Sequence, residues 1–119
     1  MLSVSGQVKV FLALQPTDMR KGFDTLAAIV QEVLQQNPLS GHLFVFRSKR
    51  GDRVKILYWN TQGYALWYTR LEQGTFRFPI ANADQEATCL TISSTDLAML
   101  LDGMELNSVT RRPRYRQPA

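Results

Sequence analysis

The chain has 119 residues, 45% hydrophobic, 10% aromatic and 20% charged, with a net charge of +4. That mixture suits one globular domain able to hold a core without metals or disulfides. It argues against a disulfide framework or a Cys/His metal site, since Cys89 and His42 are each alone, and against a bilayer span, since no apolar run approaches ~20 residues. The first residues lack a charged region followed by an apolar core, and the lone Cys89 suits a reducing compartment, so a cytoplasmic protein is expected; no cofactor is expected either. Charge is segregated. Residues 1–80 carry ten Lys/Arg against five Asp/Glu, 81–110 carry five acids and no Lys or Arg, and the last nine residues add four Arg. A basic body, an acidic segment and a basic tail fit a polyanion partner, a self-associating surface, or both.

In chain order, Val8, Val10 and Leu12 alternate with Lys9, Phe11 and Ala13, predicting a strand from about Gln7 to Leu14. Gln15 and Pro16 end it, and Thr17 or Asp18 is the expected N-cap of a helix. Phe23, Leu26, Ala27, Val30, Val33 and Leu34 form one apolar stripe on that helix, which runs to about Gln36. Asn37-Pro38 and Gly41 stop it. Short strands follow at His42–Arg47, Arg53–Trp59, Tyr64–Arg70 and Thr75–Phe78, with turn-like breaks between them. Residues 81–87 read as a loop and Thr88–Ile92 as a further strand. Ser94 or Thr95 then caps a short helix, Leu97–Asp102, ended by Gly103.

The expected fold is α+β: an antiparallel β-meander of about five to six strands, one long helix packed on a face, and a short C-terminal helix. It forms a single domain over 1–106, with a basic, flexible tail over 107–119. Both alternating sets of the meander carry apolar residues, Val54 and Ile56 on one side, Leu57 and Trp59 on the other. Either the sheet curls into a barrel, or the C-terminal helix covers its second face, or a partner does.

The densest cationic cluster is Arg47, Lys49, Arg50, Arg53 and Lys55, opposed only by Asp52. On a hairpin these side chains flank and tip one loop, where they can neutralise several phosphates and release counterions. The plainer alternative is a solubilising tip that blunts a sheet edge. Arg111, Arg112, Arg114 and Arg116 make the tail either an arm that orders on DNA or a merely solvated end. Arg20 and Lys21, at the expected helix start, add charge to free amides; a simple capping motif explains the same residues. Catalysis has little support. The aspartates show no sign of convergence, no phosphate-binding glycine loop occurs, and Cys89 reads as a small buried hydrophobe. The strand aromatics Phe44, Phe46, Tyr58, Trp59, Tyr64, Trp67, Tyr68, Phe76 and Phe78 are more simply core residues than base-stacking platforms.

Thr17-Asp18-Met19-Arg20-Lys21-Gly22-Phe23-Asp24 with Leu26-Ala27 resembles the N-terminal signature of the TnpB accessory proteins of IS-sixty-six-type bacterial insertion sequences. Gly41 to Arg47, the run through Lys55, Trp59, Gly63, Arg70-Leu71-Glu72, Gly74, Phe76 and Pro79, and Leu97 to Gly103 are similar to the same family, so the resemblance spans residues 6–103. The chain departs from the pattern at Thr69, where relatives often have Lys, at Phe78, where they often have Trp, and in Met104-Glu105-Leu106-Asn107. The resemblance implies a small protein encoded beside a transposase and needed for efficient transposition. Strand-transfer chemistry belongs to that separate transposase, so no catalytic residue is implied here. The expected function is a non-catalytic transposition accessory that binds DNA through the basic hairpin, bridges the transposase, or both. The alternative is a protein-interaction adaptor or homodimerising factor without direct DNA contact.

Overall fold

The computed structural model describes residues 7–79 and 87–103, which form five strands and two helices. The strands are β1 (Val10–Ala13), β2 (Leu43–Arg47), β3 (Arg53–Trp59), β4 (Tyr64–Arg70) and β5 (Cys89–Ile92); the helices are α1 (Phe23–Glu32) and α2 (Ser94–Leu101). All five strands lie in one sheet of order β4-β3-β2-β1-β5. The sheet is mixed, which corrects the expected antiparallel meander. β1 runs parallel to β2, with Val10 opposite Leu43 and Leu12 opposite Val45, while the other three pairings are antiparallel. The helix between β1 and β2 is the reason: a strand–helix–strand crossover brings the chain back in the same direction. Only β2-β3-β4 keeps the meander.

The stretch 75–78 forms no strand. Phe76 N donates to the Gly51 carbonyl at 2.7 Å, and Phe76 and Phe78 pack into the core while Thr75 and Arg77 face out. Its alternation records a half-buried extended segment without a ladder partner.

The first helix is shorter than expected, at ten residues. Neither Thr17 nor Asp18 caps it. The N-cap is Gly22, with no side-chain cap bond; Asp18 lies four residues before it, and its carboxylate accepts instead from the amide and guanidinium of Arg20. Leu26, Ala27, Val30 and Leu34 of the predicted stripe are buried, but Phe23 and Val33, at the helix ends, are about half exposed. Ser93 caps α2, one residue before the expected position. Its hydroxyl accepts from Asp96 N at 3.0 Å while the Asp96 carboxylate accepts from Ser93 N, a capping box. Gly103, at φ +90°, follows the last turn as expected.

A helix covers each face of the sheet. On one side Leu26, Ala27, Val30 and Leu34 meet Phe11, Phe44, Phe46 and Leu57. On the other, Leu97 and Leu100 of α2, with Phe76, meet Val10, Val45, Val54 and Ile56. Of the three ways to cover the doubly apolar strands, the C-terminal helix is the one found. The expected 107–119 tail and the domain boundary at 106 lie outside the described residues.

Candidate nucleic-acid interface

The turn between β2 and β3 is built around Ser48, which is 8% exposed. Its hydroxyl accepts from Gly51 N and Arg53 N, each at 3.1 Å, and donates to Asp52 Oδ1 at 3.2 Å. Gly51 sits at φ +81°, a left-handed conformation that side chains resist. A Cβ there would also meet the Thr75 Cβ at 3.4 Å. The Gly51 carbonyl is held by Phe76 N, and the Asp52 carbonyl by Leu71 N at 2.8 Å. The turn is therefore pinned from below and from the side, and Lys49 and Arg50 stand exposed at its tip.

Beside it runs the segment that leads into α1. Thr17 N donates to the Arg47 carbonyl at 2.8 Å, bringing residues 16–20 alongside the turn. Asp18 accepts from Arg20 N at 2.9 Å and from the Arg20 guanidinium at 2.7–3.1 Å. Those Arg20 hydrogen bonds, the side chain's first, hold the Asp18 carboxyl well below the usual carboxylate range, and Asp18 in turn raises Arg20. An open cleft of about 570 Å³ separates the two segments, lined by Thr17, Asp18, Arg20, Lys49, Arg50 and Arg53 among others.

The remaining cations are placed differently. Arg47 is half-buried; it donates to the Leu14 carbonyl at 3.1 Å and lies 5.7 Å from the Phe78 ring centroid. Burial pushes its pKa down, and its Nε finds no hydrogen-bond partner among the described residues. Lys55 is buried, with its ammonium donating to the Lys21 carbonyl at 2.8 Å and lying 4.7 Å from the Tyr68 ring centroid. Lys21 is half-buried and lines a second, smaller cleft with Ile29 and Val33. Arg111, Arg112, Arg114 and Arg116 lie outside the described residues. The cluster thus divides: Arg20, Lys49, Arg50 and Arg53 surround one cleft, while Arg47 and Lys55 are occupied with internal contacts.

Arg70, part of the family-like Arg70-Leu71-Glu72 run, is not among the cations that the sequence groups into a cluster. It lies directly opposite Arg53 on β4, a register that can be counted outward from the Asn60–Gly63 turn. Among the described residues no group of three or more His, Cys, Asp or Glu converges on a metal-sized site, and no helix is long and apolar enough to cross a membrane.

The described residues make a small α+β domain that carries a preorganised, open, basic cleft. A family model described as "IS66 Orf2 like protein" matches residues 8–111, and the chain belongs to this TnpB family of IS66-type insertion sequences. It is therefore a transposition-associated protein. It is similar to two proteins of Sinorhizobium fredii. Uncharacterized protein y4hO is 45% identical over 102 residues, covering 85% of each chain. Uncharacterized protein y4jC is 34% identical over 113 residues, covering 95% of this chain and 93% of the relative. No solved structure gives a significant match.

Proposed function

We propose that this protein is a non-catalytic accessory factor of transposition that holds duplex DNA by its phosphates, with Lys49, Arg50 and Arg53 on one wall of the cleft and Arg20 on the other. Lys21, next to Arg20, adds positive potential. The observation that supports this reading is the rigid turn. Lys49 and Arg50 at its tip and Arg53 at the start of β3 are presented from a turn fixed by the bonded amides of Ser48, Gly51 and Arg53, so little order must be imposed when a phosphate arrives. Among the described residues no helix borders the cleft, so the contacts proposed there are to backbone and largely independent of sequence. Fluorescence anisotropy from low to physiological salt tests it. Affinity should fall steeply with salt, and replacing Lys49, Arg50 and Arg53 together by Ala should flatten that slope by about 2–3. No binding at low salt, or an unchanged slope in the triple variant, refutes the reading.

A second reading is an adaptor that holds the transposase or a second copy of the chain. The half-exposed Phe23 and Val33 of the α1 region support it. Co-purification with the cognate transposase, run with and without DNA, together with sedimentation, separates the two readings. An adaptor would retain its partner after nuclease treatment.

A further inference from the structure

We propose that Arg53, Tyr68 and Arg70 form a subsite for one unpaired nucleotide of DNA, with its phosphate between the two guanidiniums and its base against the Tyr68 ring. The inference rests on the DNA-binding reading and adds a ligand class to it.

In the β3–β4 ladder Arg53 stands directly opposite Arg70. Like charges at facing positions destabilise a sheet unless something offsets them. Among the described residues nothing does so well. Glu72 reaches Arg70 only at 3.6 Å, and both side chains are mostly exposed, 58% for Arg70 and 84% for Glu72, so the pair is worth little. Among the described residues the Arg53 side chain has only a long contact, 3.4 Å, to the Tyr68 hydroxyl. Two arginines at facing positions, Arg70 on the edge strand and Arg53 beside it at the end of the ladder, are suited to a bridging phosphate, which accepts from both forks.

Tyr68 supplies the second half of the site. Its register partner is Lys55, so it projects on the same side of the sheet as Arg53 and Arg70. Phe44 and Phe46 are fully buried and the other β3 and β4 aromatics are partly buried, whereas Tyr68 is 48% exposed. The Lys55 ammonium, fixed by its bond to the Lys21 carbonyl, sits over one face of the ring. The ring is thereby held in orientation, and its opposite face is the one a ligand can reach. A cleft of about 340 Å³ lies between Arg53, Tyr68, Thr69, Arg70 and Glu72, on the scale of small-ligand sites.

Arg53 lines both this cleft and the larger one by the turn. A strand held at Lys49 and Arg50 therefore passes Arg53 to reach Tyr68. Duplex DNA keeps its bases stacked inside and offers Tyr68 nothing. A frayed end or single strand offers a free base face, and stacking on an aromatic side chain is tolerant of sequence.

The test uses the full chain, a short single strand carrying 2-aminopurine, and a duplex of the same sequence, at matched salt. The wild type should quench the 2-aminopurine on binding the single strand. Tyr68→Leu should weaken single-strand binding on the order of tenfold and abolish the quenching, while Tyr68→Phe stays within about twofold. Both should leave duplex affinity unchanged. Arg70→Ala should reduce the single-strand salt slope by about 0.7, one phosphate contact. Intact duplex binding without 2-aminopurine quenching, or with Tyr68→Leu binding the single strand like wild type, overturns the subsite and leaves the duplex reading standing. Absence of any DNA binding by the wild type overturns both. If Tyr68→Leu melts well below wild type, the wild-type quenching and the Arg70→Ala slope still decide.

Discussion

Ser48→Ala removes one oxygen from beneath the basic turn and asks whether the cations at its tip are held or merely tethered. Two amides lose an acceptor. Gly51 N retains the Ser48 carbonyl at 3.0 Å, but Arg53 N has only the Ser48 hydroxyl. With Ser48 8% exposed, water replaces that acceptor poorly. Leaving one such donor unsatisfied costs about 1–3 kcal/mol. At about 4 °C per kcal/mol for a domain of this size, the melting temperature should drop by roughly 4–12 °C. The urea m-value should stay unchanged, because the surface exposed on unfolding is the same. The effect on DNA is more telling. No charge is removed, so the slope of affinity against salt, which counts phosphates, should match wild type. Affinity at any one salt should nonetheless fall several-fold, since the loosened turn must now be ordered on binding. Unchanged melting would refute the account of the turn. A flattened slope would mean that Ser48 orients the cations in some way other than through turn rigidity.

Lys55→Met keeps the apolar stem but deletes the ammonium that donates to the Lys21 carbonyl. It should destabilise by about 1–3 kcal/mol in urea unfolding while leaving the DNA salt slope at its wild-type value; a flatter slope would place Lys55 on the DNA. Asp18 is expected to titrate well below an ordinary aspartate because Arg20 binds its charged form, a point carbon-detected NMR can follow directly. Since its folded pKa is lowered, the contribution to stability is complete above the unfolded value of about 3.9 and is lost as the pH falls from there through the lower folded value. Above about pH 5 stability should not vary on its account. Arg20→Ala should raise the Asp18 pKa towards the ordinary range but leave it below, since the amide of residue 20 still donates to the carboxylate, and a normal titration with Arg20 in place would disprove the pairing.

The sequence was most legible where structure is local. The bounds of β3 and β4 agree with the expectation to the residue, because the turns at either end of β3, residues 48–52 and 60–63, carry their own signals in Gly51, Asn60 and Gly63. Alternation marks which residues face the core but does not name a strand's partner. That is why β1 and β2, individually visible, were not seen as parallel neighbours, although the helix between them was the available clue. The same limit explains 75–78, where Phe76 and Phe78 alternate without a ladder. At the start of α1, Asp18 has two possible uses, capping or binding its neighbour. Arg20, two residues on, decides between them through a side-chain contact that capping preferences do not weigh. The basic cluster was legible as composition but not as geometry. Lys55 and Lys49 look alike in sequence, yet one lies in the sheet interior and the other at the tip of a turn. Arg70 became visible only once its register with Arg53 was known.

The position of β1 in the sheet also bears on how the chain folds. β2, β3 and β4 are neighbours in sequence and can pair as soon as they exist. β1 is flanked by β2 and by β5, and Val10 faces Ile92, which lies far along the chain. Closing so long a loop is entropically demanding, and such pairings form late. During synthesis the outer edge of β1 therefore stays unpaired, and one face of the sheet stays bare, until the segment through α2 has emerged. A chain cut short before β5 would retain the turn with its cations but expose Val10, Leu12, Val45 and Ile56 to water. A prematurely ended product would then be an aggregating species rather than a weaker version of the protein.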